Sequence, residues 1–179
     1  MVEEIEWSTC PAAIATTYTS KTSRGVKELR NILFPYDPDA RVEASRHPDV
    51  ILIYTRIPKD LIKKIVSAMR PSAVARLVVA DKCIKISREN YFSQIIEACI
   101  DLASRNTLDS FYVDCRSRGD VVESCRLLEI EIGRLLEARG LGKVSFKNPS
   151  RVLRIEVIDD VALISLMNPS EDRLKRIFK

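Results

Sequence analysis

Few residues in this chain are of types that carry covalent or metal chemistry, and their spacing argues against it. The single histidine, His47, sits in the loop-like stretch SRHPD beside a proline, where a serine-type triad would have to recruit it. Five cysteines (Cys10, Cys83, Cys99, Cys115 and Cys125) form no C-x-x-C pair. With one histidine they do not supply the grouped four-ligand set of a structural zinc. They read instead as buried or half-buried free thiols in a reducing compartment, with Cys99 and Cys125 on apolar helix faces. The sole G-x-G, Gly140-Leu141-Gly142, follows a helix pattern rather than preceding one, the wrong polarity for cradling phosphate. It reads as a helix stop. Asp159-Asp160 suits a hairpin turn better than a carboxylate dyad. The residues therefore predict no catalytic site, no metal and no cofactor.

Charge gives a different signal. Between Arg56 and Arg88 lie nine basic residues, opposed only by Asp60 and Asp81, so this window holds 9 − 2 = +7. The whole chain carries +4, which leaves 4 − 7 = −3 elsewhere. A second acid-free run contains Lys143, Lys147, Arg151 and Arg154. Clustered positive charge is what a polyanion partner requires. The 46% apolar and 30% charged composition is that of a folded globular chain of one or two domains. No apolar run approaches the roughly 20 residues of a membrane span. The opening MVEEIEW is acidic and lacks the order of a secretory signal, so the expected compartment is the cytoplasm.

The elements that must position these charges fall into two patterns. In the first, Ala12 to Tyr18 is strand-like, and Ser23 caps a helix carrying Val26, Leu29, Ile32 and Leu33 that stops near Pro35. Val42 to Ala44 and Val50 to Ile57 follow as strands. Pro58 opens a helix with Leu61, Ile62, Ile65 and Met69 on one face, barred at Pro71. Ala75 to Ile86 returns to strand, bent around Asp81-Lys82. This β-α-β-β-α-β order predicts a ferredoxin-like half over residues 1–86. In the second, Ser87 caps a helix through Ala103, and Ser110 to Cys115 is a strand. Asp120 with Glu123 resembles a capping box that opens a long helix through Leu136, stopped at Gly140. Arg151 to Ile158 and Val161 to Met167 form a hairpin, and a short basic helix closes the chain.

Two stretches of the second pattern resemble the THUMP domain. FYVDCRSRGDVVESCRLLEIEIG, from Phe111 to Gly133, matches a strand, a basic R-x-R-G turn and a long helix. KVSFKNPSRVLRIEVIDDVALISL, from Lys143 to Leu166, resembles the family's strand-turn-strand around K-N-P. RHPDVILIYTRI, in the first half, is similar to a segment of the stand-alone tRNA-acetylation adaptor family. The fold class expected is thus α+β: a ferredoxin-like half over 1–86, an α/β THUMP domain over 87–168 and a tail over 169–179.

The resemblance implies a tRNA-binding protein without its own chemistry. It would engage the acceptor stem and 3′ end and present the tRNA to a partner, an acetyltransferase forming N4-acetylcytidine. Thiolation or methylation by another partner, or a small enzyme with an unrecognised site, are the alternatives. Arg116, Arg118, Lys147, Asn148, Arg151 and Arg154 are the implied contacts, with Arg76, Lys82 and Lys85 extending the surface from the first half. Charge with few stacking aromatics is compatible with RNA read by shape, phosphates and 2′-hydroxyls. One departure stands out: Val121-Val122 follow Gly119, where the family often has polar or aromatic residues.

Overall fold

The computed structural model describes residues 9–175, and the acidic opening and the last four residues lie outside them. The chain divides into two compact units, one of residues 1–80 with 172–179 and one of residues 81–171.

The first unit runs β1 (Ala13–Thr17), α1 (Thr22–Leu33), β2 (Arg41–Ala44), β3 (Val50–Tyr54), α2 (Lys59–Met69) and β4 (Val74–Val79). Its sheet has the order β2-β3-β1-β4, with every neighbouring pair antiparallel. That is the split β-α-β arrangement the element order predicts. Both helices end where the sequence forbids more. Phe34 precedes Pro35, and Arg70, left-handed at φ 48°, precedes Pro71. Leu29, Leu33, Ile51, Ile53, Ile62 and Val66 fill the core between helices and sheet. α1 lies so close to the sheet that a Cβ on Gly25 would come within 2.6 Å of the Thr17 methyl.

The second unit runs β5 (Lys82–Lys85), α3 (Tyr91–Ser104), β6 (Ser110–Arg118), α4 (Cys125–Ala138), β7 (Lys143–Val144), β8 (Arg151–Ile158) and β9 (Val161–Met167). The sheet order is β5-β9-β8-β6-β7. β6 is parallel to both β8 and β7, whereas β9 is antiparallel to both β8 and β5. A parallel pair needs a crossover, and α4 supplies it. Phe111, Ile95, Leu128, Ile132, Leu136, Ile155 and Ile164 form the core under α3 and α4. The β8-β9 hairpin turns at Asp159, left-handed at φ 54°, as the Asp159-Asp160 pair suggests.

Several boundaries differ from the sequence expectation. The run from Ala75 to Ile86 is two strands in two sheets, because Asp81 binds β9 through both its N–H, 2.9 Å from the Ile164 carbonyl, and its carboxylate, which accepts the Leu166 N–H at 2.7 Å. The second unit therefore starts at Asp81, not at residue 87. The tail is no separate segment: Leu77 N–H donates to the Asp172 carbonyl and Leu174 N–H to that of Ala75. Residues 169–175 form turns and a bridge, so no helix is present there, and the rest of the expected helix lies outside the described residues.

The start of α4 also moves. The Asp120–Glu123 capping box does not form, since Asp120 pairs with Arg88 at 2.9 Å. Instead Ser124 caps the helix, its hydroxyl accepting the Leu127 N–H at 3.2 Å. A disulfide between Cys115 and Cys125, Cα atoms 5.3 Å apart, ties the end of β6 to the first residue of α4. Neither Cys10 nor Cys83 is a free thiol. The expectation of five free thiols is thus corrected: Cys99 alone is free, and burial pushes its thiol up. Sequence spacing missed this because parallel strand and crossover helix, not a short motif, bring Cys115 and Cys125 together.

An ion-pair network crosses the β6-β8 pairing. Arg154 lies opposite Asp114 in the register and reaches it at 3.2 Å, and it also approaches Glu156 at 3.4 Å. Arg118 holds the other Glu156 oxygen at 3.2 Å. Burial pushes Glu156 above the usual carboxylate range, against the opposing pull of Arg118, Arg154 and Arg116.

Two stability outcomes follow. Cys125→Ser should cost about 2–3 kcal/mol in urea denaturation under oxidising conditions, the magnitude for a short closed loop. Under full reduction the variant and the parent should coincide more closely. Arg154→Met should cost about 3–5 kcal/mol, because it strips a cation from carboxylates that stay in place.

Candidate nucleic-acid interface

Folding brings acids onto four of the nine basic residues of the window that dominates the sequence. Arg76, on β4, sits 3.3 Å from Asp172. On and near β5, Lys82 reaches Asp101 at 2.8 Å, Lys85 lies 3.8 Å from Asp160, and Arg88 pairs with Asp120. Each of these acids lies outside the window in sequence. The Lys82 ammonium, hydrogen-bonded to Asp101, holds that carboxyl below its ordinary value. The pairs of Lys82, Lys85 and Arg88 are exposed and therefore weak, whereas Asp172 is buried under Arg76. Together the four acids cut the window's excess from seven positive charges to three, 7 − 4 = 3.

The two motifs that carry the family resemblance lie at opposite ends of one strand. Arg116, Arg118 and Gly119 are at the C-terminal end of β6. Lys147-Asn148-Pro149 lies beyond β7, whose pairing with Ser110 and Phe111 places it at the N-terminal end. Eight residue steps along β6 separate the ends by about 26 Å. The parallel pairing thus puts the two motifs, and the contacts expected around them, in two separate places.

At the K-N-P end the loop is firmly held. The Ser150 hydroxyl lies 2.7 Å from the Leu108 carbonyl and 2.8 Å from that of Ser110. Ser150 N–H donates to Ser110, and the Ser110 hydroxyl donates to the Asn148 carbonyl at 3.3 Å. Gly142 permits the approach, since a Cβ there would fall 2.9 Å from the Phe111 ring. The Gly140-Leu141-Gly142 element is thus only half a helix stop, through Gly140 at φ 68°, and half a packing contact. From this base Lys147 and the Asn148 side chain project into solvent. Neither makes an ion pair or side-chain hydrogen bond among the described residues. Lys143 is exposed beside them. Arg151, at the start of β8, donates to the Asn168 side chain at 3.1 Å, while its Nε is buried without a partner. Phe146 is 79% exposed and leans on Tyr112, ring centroids 6.3 Å apart, an aromatic pair that charge-based reasoning overlooked.

At the R-x-R-G end the arginines are less free. Arg118 is committed to Glu156, and Arg116 lies 3.8 Å from Asp114 with about a third of its side chain exposed. Gly119, at φ 106°, packs against Asp159, and its backbone conformation explains why glycine ends the motif. Val121 and Val122 pack into the core of the second unit, which accounts for apolar residues where the family often has polar ones. Arg154 is not a surface contact at all. It is 4% exposed and bound to Asp114 and Glu156, so its place in the acid-free run reflects sheet architecture rather than ligand contact.

Among the described residues no group of three or more His, Cys, Asp or Glu is placed to hold a metal, and no helix is long and apolar enough to cross a membrane.

No protein-family model matches the chain, and no curated protein matches it in sequence. Solved structures do. TrmN from Thermus thermophilus matches with a TM-score of 0.67 at 22% identity, over 92% of this chain and 47% of that one. A protein from Pyrococcus horikoshii Ot3 matches at 0.60 and 14% identity, over 87% of this chain and 54% of that one. A 4-thiouridine synthetase, solved as a complex with RNA and ATP, matches at 0.56 and 15% identity, over 88% of this chain and 42% of that one. At these identities the likeness establishes the fold, the mixed α/β class expected from the sequence. The chain spans about half the length of each of these proteins.

Proposed function

We propose that this chain binds tRNA and presents it to a modifying enzyme, contributing recognition rather than chemistry. The observation that carries this reading is the shared fold with a 4-thiouridine synthetase solved with RNA, which extends over 88% of the chain. The K-N-P end of the second unit supports it. There Lys147 and Asn148 stand on a pinned loop and Lys143 is exposed on β7 before it, offering two ammonium groups and an amide to phosphate and sugar. Few residues of the chain are suited to catalysis: its lone histidine is at a loop and its free thiol is buried with a raised pKa. The reaction served is N4-acetylcytidine formation by an acetyltransferase partner, in keeping with the adaptor-like segment RHPDVILIYTRI. A second reading, service to thiolation or methylation, is favoured by the 4-thiouridine synthetase likeness itself. The acceptor stem and 3′ end are the part of the tRNA engaged.

The test is direct binding. The chain should prefer tRNA over random RNA of equal length at physiological salt, and affinity should fall steeply as salt rises, because phosphate contacts release counterions. Lys147→Glu should weaken binding about fivefold to tenfold and flatten the salt slope by about one unit. Removing the 3′ CCA should lower affinity and erase a footprint there. Equal affinity for tRNA and random RNA would overturn the proposal. Adding acetyl-CoA or S-adenosylmethionine to the chain and tRNA should give no turnover without a partner.

A further inference from the structure

The second unit has an open sheet edge beside an apolar groove. Along β6 the carbonyls of Asp109 and Phe111 accept the N–H groups of Lys143 and Ser145 at 2.8 and 2.7 Å, so the main-chain groups of odd-numbered residues face the β7 side. β7 ends at Val144, and among the described residues no strand continues the pairing past Phe111. The N–H and carbonyl of Val113, the carbonyl of Cys115 and both groups of Ser117 thus face the open edge. The Cys115 N–H alone is taken, by the Glu129 carboxylate at 2.8 Å.

Next to this edge, between β6 and α4, runs a groove of about 450 Å3. Its apolar lining joins the buried Val113 and the half-buried Val144 to Ile130 and Phe146, 56% and 79% exposed. Its lining follows α4 from Arg126 to Glu137, about 16 Å of helix. That length matches about five residues of extended chain.

The charge identifies the occupant. Two arginines, Arg126 and Arg134, meet two glutamates, Glu129 and Glu137, so the lining is neutral. Glu137 accepts the Val144 N–H and Arg134 is held by Glu131, which leaves little charge to attract a polyanion. None of the residues expected to contact RNA lines this groove. Unpaired main-chain donors and acceptors in a row call for another main chain, and exposed apolar walls call for alternate apolar side chains.

We propose that the β6 edge and the groove beside α4 bind an extended, uncharged segment of a partner protein as an added strand, its alternate apolar side chains seated between Ile130 and Phe146. The site adjoins the K-N-P end at Val144 and Phe146 but is lined by none of the residues expected to meet RNA, and its test does not depend on whether the chain binds tRNA.

The probe is a capped seven-residue peptide alternating valine with threonine, added at millimolar concentration to the isotopically labelled chain and followed by NMR. The amide signals of Val113 and Ser117 should shift, and their exchange with solvent should slow. Ile130→Asp, at an exposed position, and N-methylation of alternate peptide residues should each weaken binding by about tenfold or more. Lys147→Glu should leave it unchanged. Several results would overturn the proposal. One is shifts confined to other parts of the chain or absent. Another is equal binding of the N-methylated peptide, which would mean apolar contact without strand addition. Displacement of the peptide by tRNA would assign the groove to RNA. A concentration-dependent dimer that protects Val113 and is lost in Ile130→Asp would assign the edge to a second copy of the chain.

Discussion

The parallel pairing of β6 with β8 is the constraint on which the second unit depends. A parallel pair cannot be closed by a hairpin, so the chain must cross over, and α4 is that crossover. The crossover brings the first residue of α4 back against the end of β6, where Cys115 and Cys125 meet. The register then sets Arg154 opposite Asp114 and Arg116 opposite Glu156. These long charged side chains lie on the sheet face away from α4, and there they neutralise one another. The same pairing brings the starts of β6 and β8 together, so that Ser110 and Ser150 can pin the K-N-P loop.

This arrangement sorts the arginines and lysines into two kinds. Arginines near the middle and end of the β6-β8 pair have become part of the sheet, held by carboxylates that are themselves shielded from water. Arg154 is the extreme case, and losing it would leave Asp114 and Glu156 without their shared cation. Lysines at the N-terminal end of the pair have no such partners. Lys147 is exposed on a loop pinned by Ser110 and Ser150, for reasons unrelated to charge, and Lys143 is exposed on β7 before it. A pinned loop bearing an unpaired ammonium group gives up little conformational freedom on meeting a phosphate, which suits recognition better than a longer basic stretch whose charges are partly paired.

The basic window from Arg56 to Arg88 shows why linear charge misleads. Its excess of seven is real, but the chain folds distant acids onto it. Asp172 reaches Arg76 from a segment nearly a hundred residues later, and Asp101, Asp120 and Asp160 reach Lys82, Arg88 and Lys85. The window is also divided between two units, because Asp81 binds β9 and starts the second sheet. A run of charge in sequence is therefore an upper limit on the charge a surface presents.

Local patterns in the sequence determined most of the elements. Periodic leucines and isoleucines marked the helices, proline marked the ends of α1 and α2, β-branched runs marked the strands, and Asp159-Asp160 marked the hairpin turn. These rest on interactions between near neighbours, so short windows contain the necessary information. The sequence likewise shows no C-x-x-C pair, and its one G-x-G follows a helix pattern rather than preceding one. Only the tertiary structure decided which strand joins which sheet, which cysteines pair, and which cations remain free. Those outcomes depend on partners from 10 to 96 residues away, brought together by strand direction and register. The K-N-P turn and the R-x-R-G turn were both legible as motifs. That they stand about 26 Å apart, one pinned and exposed and the other tied into a carboxylate network, follows from the direction of β6 and β8 alone.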